Sequence, residues 1–443
     1  MGQLMRHARL AAMASVVVFA LVLLAQLPLI ANPGYLSHDE LQWAAFAGHH
    51  GQLPWLSWTR VDVFQYRPLT FNLWLWASRH LFGYPYAFHA VVVGWGAANA
   101  AMTCALARRF GIGTWPAACG ALLFALGPYA AYVHGWVATM ADLAWVSCAL
   151  LTGLLVRDAR SALHAALTAS ALTLVGLLAK EAAIAIPALL ALAWWFDGRT
   201  RNWRAATIAS GLVAALYLVL RVGPLLHAAR EGGFYTPGLQ NIGMRWLEYQ
   251  LFALLPQKFE VATTFVGVGG SVVAAALLWG LLMAALLRTS QTLAAVYLLG
   301  GIAALLPVLL LGNSANQYAY GSAALTAMTM ADTWPHAPRW GRTVIALVAA
   351  ITLWHGINVM RELRHAGQLQ AVFSPALATA AKERPGLMRL HVTTPADAWR
   401  YQRLTHAVPS YRGVAIGERV QLVDGVSNAE YSVLADGRLA PLR

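Results

Sequence analysis

The chain has 443 residues, 59% of them hydrophobic and only 11% charged, with a mean hydropathy of +0.56. This balance excludes an ordinary soluble domain. Basic residues outnumber acidic ones 31 to 18, for a net charge of +13. All but Lys180, Lys258 and Lys382 are arginines, most of them in short segments between apolar runs, so orientation in a membrane accounts for the excess and nucleic-acid binding does not.

A hydrocarbon layer about 30 Å thick takes roughly 20 apolar residues per helical crossing. Runs of that character predict eleven spans, at about 10–30, 86–107, 115–133, 138–156, 162–178, 182–196, 205–222, 261–287, 292–311, 319–332 and 342–359. The N-terminus MGQLMRHARL has the positive flank of a signal peptide. The apolar run from Leu10 to Ile30 is too long for one and lacks a clear A-x-A site, so it reads as a retained first span. With the N-terminus cytoplasmic, the inner turns carry Arg6, Arg9, Arg108, Arg109, Arg157, Arg160, Arg199, Arg201, Arg204, Arg288, Arg339 and Arg342, while the short outer turns 134–137 and 312–318 carry no basic Lys or Arg. An odd number of spans places the C-terminus outside. Cys104, Cys119 and Cys148 lie within apolar runs and imply no disulfide framework.

The first outer loop opens with Ser37-His38-Asp39-Glu40, a Ser three residues before a Glu and ahead of LQWAAFAG. This is a capping-box pattern with Ser37 as N-cap and Glu40 as its reciprocal partner. Asp39, in the first turn, is favoured as an anion by the helix dipole and is a candidate general base or substrate anchor. The same loop continues as YRPLTFNLWLWASRHLFG, where Pro68 suits the first helical position and Trp74, Trp76, Phe82, Arg79 and His80 suit a helix at the interface. Arg67 precedes that helix and is a candidate phosphate ligand or an interfacial anchor.

Farther along, His134 lies at an outer turn and Asp142 near the start of a span, where an acid is costly and marks function or a helix-pairing hydrogen bond. Lys180 and Glu181 interrupt a run that as one helix would be too long, so two short spans turning at 179–182 are predicted, with both charges buried near the outer face. Arg221 ends a span on that same face, poised for phosphate or for snorkelling. After Val359 the chain turns polar: strand-like LMRLHVTT, RGVAIGERVQLVD and AEYSVLADG alternate with helix-like DAWRYQRLTHAV. Residues 1–360 therefore read as a transmembrane body and 361–443 as a small α+β extracytoplasmic domain.

Taken in order, these motifs resemble the GT-C glycosyltransferases, multi-span enzymes that use polyprenyl-linked sugars, and within them the protein O-mannosyltransferase-like branch. HDE at 38–40 matches the family's acidic motif. YRPLTFNLWLW at 66–76, continuing through FGYPYAFHAVVVGWGAANA, matches its arginine-proline segment; His134 with Asp142, and AKEAAIAIP at 179–187, match two later motifs. The resemblance covers about the first 220 residues. The chain departs from it at GWVA and TMA, where the family has a Glu and an Arg, and at Asn316-Gln317-Tyr318-Ala319-Tyr320, where an Arg-Tyr motif is usual. No tetratricopeptide array follows.

The resemblance implies a GT-C-type bundle in a bacterial inner membrane, with interfacial helices in the first outer loop and a periplasmic C-terminal domain. It implies inverting sugar transfer from a polyprenyl-phosphate carrier to a hydroxyl of a protein, lipid or glycan. Asp39 would be the base, Glu40 a supporting acid or helix cap, and Arg67, Lys180 and Arg221 phosphate ligands. His38, Tyr66, His134, Asp142, Glu181, Gln317 and Tyr318 would position substrate. Membrane lipids are expected as surroundings, with neither a metal nor another cofactor obligatory. The alternatives are a glycan ligase or polymerase using a diphosphate carrier, and a transporter or flippase of lipid-linked sugar.

Overall fold

A computed structural model describes residues 2–48, 53, 56–227, 235–384 and 386–442, with side chains described from residue 12 onward. The helices in chain order are α1 (Gly2–Ala25), α2 (Leu27–Ile30), α3 (His38–Ala47), α4 (Pro68–Leu81), α5 (Pro85–Arg109), α6 (Thr114–Leu126), α7 (Pro128–Gly135), α8 (Met140–Arg157), α9 (Ala162–Ala179), α10 (Ala185–Phe196) and α11 (Arg201–His227). They continue as α12 (Asn241–Phe252), α13 (Gly270–Thr289), α14 (Gln291–Leu309), α15 (Tyr320–Thr333), α16 (Arg339–Glu383) and α17 (Ala398–Thr405). Among the described residues, seven helices are long and apolar enough to cross a membrane, or eight if the pair α6 and α7, bent by 57°, counts as one. The chain is a multi-pass α-helical membrane protein.

The other three predicted spans are helical but shorter: Ala12–Ala25, Glu181–Phe196 and the 14-residue α15. The bend after α6 has a local cause. Gly127 is extended and Pro128 lacks an N–H, so the helical hydrogen-bond ladder stops and restarts. Gly356 of α16 fits into the bend, where a β-carbon would meet the Leu126 carbonyl oxygen at 1.8 Å.

The break at Lys180 occurs where its charge predicts. Lys180 is extended (φ −160°, ψ 136°), a short 3-10 turn follows at Glu181–Ile184, and α10 begins at Ala185. Lys180 pairs with Asp142 at the start of α8, whereas Asp197, just beyond α10, pairs with Arg157 at the end of α8. The chain therefore returns along the length of α8, as two passes rather than one.

The polar C-terminal segment forms β1 (Met388–Val392), α17, β2 (Ser410–Tyr411), β3 (Val414–Ala415), β4 (Val420–Val423), β5 (Tyr431–Val433) and β6 (Leu439–Pro441). The four-stranded sheet has the order β4-β1-β5-β6: β1 is parallel to β4 and β5, and β6 is antiparallel to β5, while β2 and β3 form a separate hairpin. The change of character at residue 361 falls inside α16, a continuous helix of 45 residues. Leu369, Phe373 and Leu377 from its last third share a core with Leu390, Tyr401 and Val433, and Leu41 of α3 enters the same core. Thus α3 is seated on the C-terminal domain as well as on the bundle.

Candidate functional site

The loop before α3 is anchored first. Asn32 Nδ2 donates to the Leu363 carbonyl at 3.2 Å, the Tyr35 amide donates to Gln370 Oε1 at 3.0 Å, and Gly34 crosses α16 so closely that a β-carbon would meet the Gly367 carbonyl at 2.2 Å. The capping box then forms as the sequence predicts. The Asp39 amide donates to Ser37 Oγ at 3.3 Å, and the Ser37 amide and hydroxyl donate to the Glu40 carboxylate at 3.0 and 2.8 Å. Glu40 is 1% exposed. Burial, and next the neighbouring Asp39 charge, push its carboxyl up to about 7 against the pull of those hydrogen bonds. Asp39 instead has a side chain 34% exposed, with His38 Nε2 3.6 Å away.

Asp39 faces a cavity of about 810 Å³ lined also by His38, Arg67, Asp142, Lys180, Gln317 and Tyr318. Trp43 stacks on Trp74 at 4.5 Å and contributes an aromatic wall. Thr70 of α4 donates to the Ala179 carbonyl at 2.8 Å, which brings Arg67 at the start of α4 beside the break after α9. The adjacent Lys180 and Glu181 do not neutralise each other. Arg67 grips Glu181 through two hydrogen bonds of 2.8 and 2.5 Å, and Lys180 Nζ donates to Asp142 at 2.5 Å. The second pair is the more deeply buried, at 4% and 3% exposure, and the ammonium also lies 4.9 Å from the Tyr318 ring centroid.

An apolar groove of about 360 Å³ meets this cavity. Leu218, Val222, Leu306 and Leu311 help line it, and it shares Phe64, Lys180, Tyr235 and Tyr318 with the cavity; Glu181 lies on the groove side. Cavity and groove thus join at a cation flanked by aromatic rings.

Three residues expected at the site are elsewhere. Arg221, 1% exposed, donates to the carbonyls of Val61, Val63 and Phe64, the latter two at 2.7 Å, and lies over the Tyr66 ring. It is a clamp on the first outer loop and lines neither cavity nor groove, because backbone oxygens occupy its fork. His134 is fully buried between Gln26 Oε1 and the Tyr320 hydroxyl, each at 2.9 Å, and holds helices together. Tyr66 donates its hydroxyl to the Trp58 carbonyl at 2.7 Å and does not line the cavity.

Conversely, the cavity receives Glu260, Arg403 and His406, which the sequence reading did not single out. Asn316 fixes the first by accepting from the Val261 amide at 2.7 Å and donating to the Phe259 carbonyl at 2.8 Å. Arg403 pairs with Glu260 at 2.7 Å, and the His406 ring packs edge-on against His38 with centroids 5.4 Å apart. The available signal was the spacing of Trp399, Arg403 and His406 at i, i+4 and i+7, the pattern of one helix face, although the helix ends at Thr405 and His406 is its extended C-cap. Among the described residues no three His, Cys, Asp or Glu side chains are grouped as a metal site. Comparison of the chain with protein-family models, curated proteins and solved structures finds no match.

Proposed function

We propose that the protein is a GT-C-type glycosyltransferase that moves a sugar from a polyprenyl-phosphate carrier to an acceptor hydroxyl at the periplasmic face of a bacterial inner membrane. The observation that carries this reading is the junction of a charged cavity with an apolar groove at Lys180. An amphiphile with an isoprenoid tail, a phosphate joint and a polar sugar has that same order of parts. The ion-pair network is neutral, yet Lys180 spends one of its three donors on Asp142 and Arg67 two of its five on Glu181, leaving donors for phosphate oxygens.

In this reaction the acceptor hydroxyl attacks the anomeric carbon and its proton passes to Asp39. The bond from that carbon to the phosphate oxygen breaks, and the carrier phosphate leaves with the electron pair. Attack opposite the leaving group inverts the configuration. Arg67 and Lys180 stabilise the charge that develops on phosphate, while Gln317, Tyr318 and His38 border the sugar and acceptor.

Transfer from a labelled polyprenyl-phosphate sugar in membranes tests the reading. Asp39→Asn is expected to reduce transfer about 10²- to 10⁴-fold with normal expression, and Glu40→Gln far less. Full activity in Asp39→Asn overturns the base assignment. Movement of intact labelled donor across vesicles without cleavage replaces the reading with a transporter. Activity lost in chelator and restored only by a divalent cation replaces the two side-chain cations with a metal.

A further inference from the structure

On the side of the main cavity away from the apolar groove lies a second hollow of about 660 Å³, within the usual size range of small-molecule sites. Trp399 and Phe259 contribute its aromatic surface, with ring centroids 5.7 Å apart. It shares His38, Glu260, Arg403 and His406 with the cavity that holds Asp39 and no residue with the groove. It is built from both parts of the chain, with 257–263 and Glu362 on one side and α17 on the other.

The guanidinium charges here are compensated from within, and the remaining cation, Lys258, donates its ammonium to the Val266 carbonyl at 2.9 Å. Arg400 is paired with both Asp397 and Glu362, and Arg403 with Glu260. An anion would meet guanidinium groups that already have carboxylate partners, and an apolar chain would strip water from all of them without replacing its hydrogen bonds. A neutral ligand with many hydroxyls fits better. The Arg400 and Arg403 guanidinium groups lie over the Trp399 ring, 4.6 and 5.4 Å from its centroid. The ligand's C–H groups would therefore pack on the part of the Trp399 and Phe259 rings left open to the hollow, and its hydroxyls can bond Gln402, Glu260 and the remaining N–H donors of Arg403. We propose that this hollow binds a neutral saccharide, the part of the acceptor that presents its hydroxyl to Asp39. The inference rests on the glycosyl-transfer reading above and narrows its acceptor to a glycan.

Saturation-transfer NMR on the full-length protein in nanodiscs, with maltotriose, cellotriose and chitotriose as probes and a Ser/Thr-containing pentapeptide as control, tests it. At least one trisaccharide is expected to bind. Trp399→Ala should weaken that binding roughly tenfold, and the exposed Gln402→Ala, whose change cannot be blamed on misfolding, should weaken it by about threefold. Binding of the peptide alone, of no trisaccharide, or of a trisaccharide equally well to all three proteins overturns the inference. Saccharide binding that responds to both variants, with no transfer of labelled sugar to any acceptor in the membrane assay above, instead sinks the glycosyl-transfer reading.

Discussion

At the end of the bundle remote from α3, Arg109 pairs with Asp158 and Arg157 with Asp197, with side chains 54% and 43%, and 32% and 21%, exposed. At the α3 end, Lys180 and Asp142 are 4% and 3% exposed. The same chemistry is inexpensive in the first place, where water screens it, and costly in the second, where both charges are desolvated. A well-packed apolar pair would stabilise the second position at least as well. Retention of charge beside a large cavity therefore points to use rather than to stability.

Substitutions at the two ends test this contrast. Lys180→Met strands the Asp142 carboxylate and should cost about 4 kcal/mol of unfolding free energy in detergent. The double variant Lys180→Met/Asp142→Leu should recover most of that stability but no sugar transfer. If it recovers transfer as well, the buried pair is only architectural.

Next in size is a pH effect. The folded Glu40 carboxyl titrates near 7, above its ordinary value of 4.5. Its contribution is fully present below about pH 4.5 and is lost as pH rises through 7, an effect on the order of 3 kcal/mol. Unfolding midpoints at pH 5 and pH 8 should differ accordingly, and Glu40→Gln should remove that part of the difference. Arg221→Met, which frees three carbonyls of the first outer loop, should cost about 2 kcal/mol and leave the KM for donor unchanged. The smallest effect belongs to the remote end, where Arg109→Ala should shift stability by less than about 1 kcal/mol in the same thermal assay.

Much of this arrangement was legible in the sequence. The capping box was readable because all its partners lie within four residues. The break at Lys180 followed from the length of an apolar run and the cost of burying a charge. What a local pattern cannot specify is the partner of a long-range charge. Arg221 and His134 occupy positions that suit a ligand equally well, but their donors and acceptors are met by groups at least 108 residues away. Arg403 and His406 were missed for the converse reason: a polar segment at the end of the chain reads as a separate module, while its helix in fact closes the cavity.

The uninterrupted α16 spans roughly 68 Å at 1.5 Å per residue and belongs to both the bundle and the C-terminal core. A flexible linker would make the spacing between those parts a matter of reach. A rigid helix makes it a matter of phase as well: one residue inserted between Met360 and Leu369 advances the distal helix by only about 1.5 Å but turns it by about 100°. That rotation would swing α17 away from Asp39 while leaving intact the core that Leu369, Phe373 and Leu377 share with Leu390, Tyr401 and Val433. Within this stretch the number of residues is therefore as much a part of the site as their identity.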